Sequence, residues 1–346
     1  MITGDFETKS YADLKKVGAW VYSLDATTQI ICFCYGIDDQ PIQSWWPGKY
    51  ATDACPADLA EALKSGHVFE AHNVAFEYSV WTNIMVPRYG WPALKLEQLR
   101  DTMAVACYYA LPAALDKLCR VLGYEPKDPE GSRLITKYSK LHLKTAKPEI
   151  PPEDFEKWIK YCTHDVAQEQ SVSDFLGDLP DRELPIFLLS LEVNLRGLHL
   201  DLEGIENATA VVEARSKELT TEFREITGGL NPTQRDRAIE WFSGQGLELE
   251  NMQGDYIEEL LEDEENPIPQ GPVRRALEIR RRINKASTKK LDAMARQRDS
   301  LGRSRFQTRY HGAGTGRETA SGWQVLNMSR GFEETDPEQL VRDIGY

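Results

Sequence analysis

A chain of 346 residues, 41% hydrophobic and with eight tryptophans, holds material for two or three cores rather than one. No run approaches the roughly 20 apolar residues of a membrane span, and MITGDFETKS lacks the regions of a secretory signal, so a cytoplasmic chain without a membrane partner is expected. The net charge of −14 argues against a polyanionic partner, but residues 270–317 hold 14 Lys/Arg against Glu278, Asp292 and Asp299, a balance of +11 on a remainder of −25. A basic segment on an acidic body is what a phosphate-contacting surface looks like; a solvated basic helix is the plainer reading. The six cysteines, Cys32, Cys34, Cys55, Cys107, Cys119 and Cys162, show no Cys-x-x-Cys pairing and read as reduced core thiols.

Up to about Asp178, strand and helix signals interleave. Residues 30–36 are β-prone between turn-forming stretches, and residues 67–73 read as a second short strand leading into a helix over 75–84. Helices are predicted over 101–109 and over 113–122, the latter stopping at Gly123. Pro151-Pro152-Glu153-Asp154 opens another that passes Tyr161 and Asp165, with proline and acids in its first turn. A break falls at Gly177-Asp178-Leu179-Pro180. Beyond it the spacing predicts helices over 183–196, Leu202–Thr227 and 238–242, and a long basic helix, continuous or interrupted, over 273–297. Residues 305–310 alternate like a strand, and 312–316 are glycine-rich.

Three short motifs carry chemistry. In a strand, alternate residues face the same side, so Asp5 and Glu7 can meet one hard cation while Phe6 turns toward a core. Tyr161 and Asp165, four apart on a helix, share a face and can position a water beside a metal. His72-Asn73-Val74-Ala75-Phe76-Glu77 adds a third acid at a helix start. Each motif alone has an ordinary reading as solvated or capping residues, and His72 reads as a packed, hydrogen-bonded histidine.

In this order the motifs resemble the DEDD exonuclease superfamily: an acid pair on the first strand, Asn-x-x-Phe-acid, and a final Tyr-x-x-x-Asp. Tyr161 marks the tyrosine subclass. The resemblance implies an α/β ribonuclease-H-like exonuclease domain, a mixed sheet with flanking helices, and two Mg²⁺ or Mn²⁺ ions. Asp5, Glu7 and Asp165 would hold the ion that activates water, and Asp5 with Glu77, through water, the ion beside the leaving 3′-oxygen. Tyr161 would orient the nucleophile, and Asn73 and Phe76 would meet DNA. Glu77 departs from the family's aspartate but keeps the carboxylate. Asp101 reads as a cap rather than a ligand. Two metals ~3.5–4 Å apart supply an activated water, an in-line leaving oxygen and cover for developing charge.

The C-terminal half resembles the family-A DNA polymerases, particularly phage members. Leu191-Glu192-Val193-Asn194-Leu195-Arg196-Gly197-Leu198-His199-Leu200-Asp201 is similar to the segment leaving the exonuclease domain. Ala286-Ser287-Thr288-Lys289-Lys290-Leu291 looks like a thumb tip, and Gly302-Arg303 with Tyr310-His311-Gly312-Ala313-Gly314-Thr315-Gly316-Arg317 looks like the first palm strands, ending near Asn327. The resemblance makes Lys289, Lys290, Arg317 and Asn327 candidate DNA contacts, which position the backbone without reading sequence. It implies an exonuclease domain over 1–178, a mostly helical thumb-like region over 179–300 and an incomplete start of a palm over 301–346.

That family's later polymerase motifs do not occur in these residues. The reading is therefore the proofreading 3′→5′ exonuclease part of a split or truncated family-A polymerase, in a bacterial or phage-infected cell, unable to copy DNA alone. Its expected partners are single-stranded 3′ ends, primer-template DNA and a second polypeptide bearing the remaining palm and fingers. Residues 300–346 are expected to be poorly ordered or self-associating alone, because a palm strand would have an open edge. Two alternatives stay open: a DNA-binding scaffold with a decayed site, and an exoribonuclease.

Overall fold

A computed structural model describes residues 1–125, 128–283 and 286–328; the side chains of Ala286, Ser287 and Lys289 lie outside that description. The described residues form two compact units, one of Met1–Leu200 with Arg296–Asn327, the other built on Asp201–Ala295.

The first unit is organised by a five-stranded sheet. Its strands are β1 (Ile2–Lys9), β2 (Gln29–Ile37), β3 (Gln43–Trp45), β4 (Phe69–Ala71) and β5 (Leu99–Asp101), in the order β3-β2-β1-β4-β5. β1–β2 and β2–β3 are antiparallel, whereas β1–β4 and β4–β5 are parallel, so the sheet is mixed, as expected. In the β1–β2 register Phe6 lies opposite Phe33, Asp5 opposite Cys34 and Glu7 opposite Cys32. Directly opposed residues share a face. One face therefore carries the phenylalanines, and the other carries two acids and two thiols. The register then slips between Glu7 and Thr8: Thr8 pairs with Ile30, leaving Ile31 as the extra residue of a β-bulge beside Glu7.

The aromatic face is dry. Phe6 and Phe33 stack at 4.2 Å between centroids, and Trp81 meets Trp91 edge-on at 5.1 Å. Trp45, Trp81 and Trp91 are buried there beside helix Val74–Val80, which runs on as a π-turn over Trp81–Met85. Burying a ring such as Phe33 contributes up to roughly 3 kcal/mol.

Over the other face lies helix Pro152–Leu176. It starts with proline at its first position and Glu153 and Asp154 in its first turn, where acids favour the helix dipole. Trp158, Tyr161, Cys162, Asp165 and Val166 recur at three- and four-residue spacing and are all buried. With Ile31, Cys32, Cys34, Leu134 and Tyr138, the apolar and thiol members of this stripe close a second core.

Helix Leu184–Arg196 also belongs to the first unit, because Phe187 and Leu191 join the aromatic core. After it, β6 (Leu198–His199) pairs with β7 (Arg303–Ser304), and β8 (Thr308–Arg309) pairs with β9 (Thr319–Ala320). The seams of the units lie at 200/201 and 295/296.

The second unit is mostly helical: Leu202–Thr227, Arg235–Gly244, Gly254–Glu262 and Pro272–Ile283 close on Leu219, Phe223, Phe242, Ile257, Leu277 and Ile279. Arg275 grips Glu222 in a two-pronged pair at 2.6 and 2.8 Å. No helix among the described residues is long and apolar enough to cross a membrane.

The basic stretch expected to be helical is covered by helices Pro272–Ile283 and Ala286–Arg296, and residues 284–285 between them lie outside the described residues. Two expectations are corrected. The strand over 305–310 shrinks to Thr308–Arg309, because Phe306 sits at φ 54°, a left-handed value that ends the alternation. Its edge and aromatic face are covered: β8 pairs with β9, Phe306 lies 6.1 Å from the Trp20 ring, and Trp323, only 5% exposed, donates its indole N–H to Ser304 Oγ at 3.0 Å. Leu326 is 55% exposed, and the rest of the expectation, on residues 329–346, lies outside the described residues.

Candidate active site

Three acids from two distant segments converge. Asp5 and Glu7 project from β1, Asp165 from the helix over that face, and one oxygen of each lies within 4.8 Å of the other two. Asp5 is half-buried and the other two are buried. The donor set is all carboxylate oxygen, the chemistry that suits Mg²⁺ or Mn²⁺, and clustered like charges favour a cation. The residues present therefore fit such an ion.

The helix is pinned to the strand beside this group. Cys162 Sγ donates toward Asp5 O at 3.3 Å and Asp5 Oδ2 at 3.7 Å. Cys32, Cys34 and Cys162 form a second group whose sulfurs lie within 4.8 Å of one another. Thiol hydrogen bonds from Cys162 and Cys32 pull the Cys34 titration down, whereas burial pushes Cys32 and Cys162 up.

Tyr161, one turn before Asp165, packs its ring edge-on to Trp158 at 6.1 Å. The backbone of helix Pro129–Leu134 presses against that ring at Gly131. A Cβ at this position would come within 2.1 Å of Tyr161 Cε2, so only glycine leaves the ring where it is.

Glu77 is buried in the first turn of helix Val74–Val80 and stands outside the group of three. Its neighbour Phe76 and Glu7 line one cavity of about 210 Å³, together with Tyr22, Lys15 and His142. Tyr22 and Thr8 share a hydrogen bond of 2.9 Å between hydroxyl oxygens, and burial pushes the Tyr22 phenol up to about 12.

Asn73 caps the helix in a left-handed conformation, φ 77°, and its N–H donates to Asp101 Oδ1 at 2.9 Å. The same oxygen accepts from Met103 N at 2.9 Å, so Asp101 is a buried cap, and burial pushes its carboxyl up to about 6. His72 lies 2.9 Å from both Thr102 Oγ1 and Ala113 O, a packed histidine.

The basic candidates sit on different elements. Arg317 is exposed in the turn between β8 and β9, where Ala313 N donates to its carbonyl at 3.1 Å. Asn327 is exposed at the end of the 3₁₀ turn Val325–Asn327. Lys290 is half-buried on helix Ala286–Arg296 in the other unit, and the Lys289 side chain lies outside the described residues.

Sequence reasoning missed the thiol group, the Gly131 contact and the cavity. The alternation that puts Asp5 and Glu7 on one face puts Cys32 and Cys34 there too; Cys162 needs the docked helix.

No family model matches the chain. It is 28% identical over 356 residues to a DNA polymerase of Bacillus phage SP02, an alignment that covers 98% of this chain and 52% of the relative. Its fold matches a solved structure described as the POL domain of Pol1 from M. smegmatis in complex with DNA primer-template and dNTP. That match has a TM-score of 0.55 at 14% identity and covers 96% of this chain and 52% of the other. The chain thus spans about half the length of each. Along nearly its whole length the chain is thus similar in sequence to about half of a phage DNA polymerase, and it shares its fold with about half of a polymerase POL domain.

Proposed function

We propose that this chain is a metal-dependent 3′→5′ exonuclease that removes terminal nucleotides from DNA as the proofreading part of a family-A polymerase. The observation that carries the reading is the meeting of Asp5, Glu7 and Asp165 on one face of the sheet. The strand order, with β2 antiparallel beside three parallel strands, supports a ribonuclease-H-like exonuclease domain within 1–178. The helices of the second unit would form the thumb-like region, and the β8–β9 hairpin the start of a palm.

Asp5, Glu7 and Asp165 would hold one Mg²⁺ or Mn²⁺, and Asp5 with Glu77 a second. When bound, such ions activate water and neutralise charge on the phosphate. The protein's own part is positional. Gly131 and Trp158 fix the Tyr161 ring, whose hydroxyl would orient the attacking water. Asn73 and Phe76 would hold the terminal nucleotide, with Phe76 offering a ring for stacking at the cavity it shares with Glu7. Arg317, Lys290, Lys289 and Asn327 would contact the DNA backbone.

The test is degradation of 5′-labelled single-stranded DNA by the purified chain with Mg²⁺ or Mn²⁺. Chelation should stop it, and Asp5→Ala or Asp165→Ala should slow it by about 100-fold or more, since each removes a metal ligand. Equal rates in parent and variants would overturn the reading, and faster loss of a matched RNA strand would redirect it to exoribonuclease.

A further inference from the structure

Directly beside the acids lies a group of opposite character. Cys32 and Cys34 project from the same face of β2, at alternate positions, and Cys162 descends on them from helix Pro152–Leu176. All three are 0% exposed, and their sulfurs lie within 4.8 Å of one another. Around a tetrahedral Zn²⁺ with bonds of about 2.3 Å, thiolate sulfurs stand about 3.8 Å apart. The group needs to close by at most about 1 Å, within the reach of side-chain rotation. We propose that Cys32, Cys34 and Cys162 form a trithiolate site for a soft d¹⁰ cation, Zn²⁺ above all, adjoining the hard-ion site of the carboxylates and distinct from it in donor chemistry.

Sulfur donors select a soft ion where carboxylates select Mg²⁺, so two sites in contact discriminate by donor chemistry. On binding, each S–H bond breaks, its proton leaves to solvent, and a sulfur–metal bond forms in its place. Three thiolates with Zn²⁺ carry one net negative charge. The Lys49 ammonium acts on Cys34 in the opposite sense, and Thr163 Oγ1, 3.6 Å from Cys34 Sγ, can donate to it. Asp5 Oδ2, 3.7 Å from Cys162 Sγ, is the candidate fourth donor. Zn²⁺ held this way draws that oxygen from the acidic group and inhibits the nuclease, a consequence that rests on the proposed function; the site itself does not.

The experiment titrates the reduced full chain with Cd²⁺ as a spectroscopic stand-in for Zn²⁺, under excess Mg²⁺. One equivalent should bind with an ultraviolet thiolate-to-metal absorption, and Zn²⁺ should displace it. Cadmium NMR on the unsubstituted chain should place the resonance in the thiolate range, a readout that no folding defect can mimic. Cys34→Ser and Cys162→Ser should each weaken binding at least about ten-fold, whereas Asp165→Asn should leave the absorption intact. Failure of the nuclease assay with the absorption present would break the exonuclease reading alone. Absence of a thiolate signal, or its survival undiminished in Cys34→Ser, would overturn the proposal.

Discussion

The two faces of the β1–β2 pair are made from alternate residues of the same strands, yet they hold opposite chemistry. Phe6 and Phe33 look into a dry aromatic core; Asp5, Glu7, Cys32 and Cys34, one step along, look into an ionisable layer beneath helix Pro152–Leu176. A slip of one residue would exchange the faces, burying carboxylates among tryptophans. The aromatic face is therefore the device that fixes the acids. Stability and chemistry are divided between two sides of one backbone.

That division can be broken most forcibly at Phe33. Phe33→Ala should destabilise the chain by about 3–5 kcal/mol, the usual cost of emptying a packed aromatic site. Metal affinity per folded molecule should change little. Urea unfolding with and without Mg²⁺ measures both, and loss of metal affinity in the folded fraction would mean the faces are coupled.

Asp101 sharpens the comparison, as a buried acid outside the cluster. Its folded carboxyl titrates near 6, above the unfolded value near 3.9, so the folded state holds its proton more tightly. Stability is then greatest below the unfolded value and falls as pH rises toward 6, by about 2–3 kcal/mol in all. Asp101→Asn keeps an oxygen for the N–H groups of Asn73 and Met103 but cannot ionise. The parent-minus-variant difference should show this slope between pH 4 and 6. A difference flat across that window would remove the burial argument.

The smallest effect belongs to the cluster itself. Without metal, three carboxylates with oxygens within 4.8 Å repel one another, so Asp165→Asn should raise chelated stability by about 1 kcal/mol. Mg²⁺ should raise the melting temperature of the parent and leave the variant nearly unmoved. A variant stabilised by Mg²⁺ as strongly as the parent would place the ion elsewhere.

The legible parts of the molecule are those governed by local periodicity. The two-residue repeat put Asp5 and Glu7 on one face, and the helical repeat put Tyr161 and Asp165 on another. The stop at Gly123, with φ 80°, followed from its cap, and the bounds Leu202–Thr227 from apolar spacing. Features set by tertiary contact were not legible. β3 and β6–β9 are two or three residues long and carry no period of their own. Helix Leu14–Leu24 is broken at Gly18, which blurs its stripe. The bulge at Ile31, the turn at Phe306 and the approach of Cys162 to Asp5 exist only because distant segments dock. The mixed sheet was expected, but where helix Leu184–Arg196 would pack was not, since its apolar residues suit either unit.

The contact between Cys162 and Asp5 joins residues 157 apart in the chain. At ~5–20 residues per second, Asp5 leaves the ribosome roughly 8–30 s before the helix that completes its site. Throughout that interval β1 and β2 can already pair, with an aromatic face on one side and uncovered acids and thiols on the other. The nascent hairpin thus exposes its acids before the site closes, and divalent ions present during synthesis can meet Asp5 and Glu7 before Asp165 exists. Assembly of the site is a late event in the life of each chain, set by translation as much as by packing.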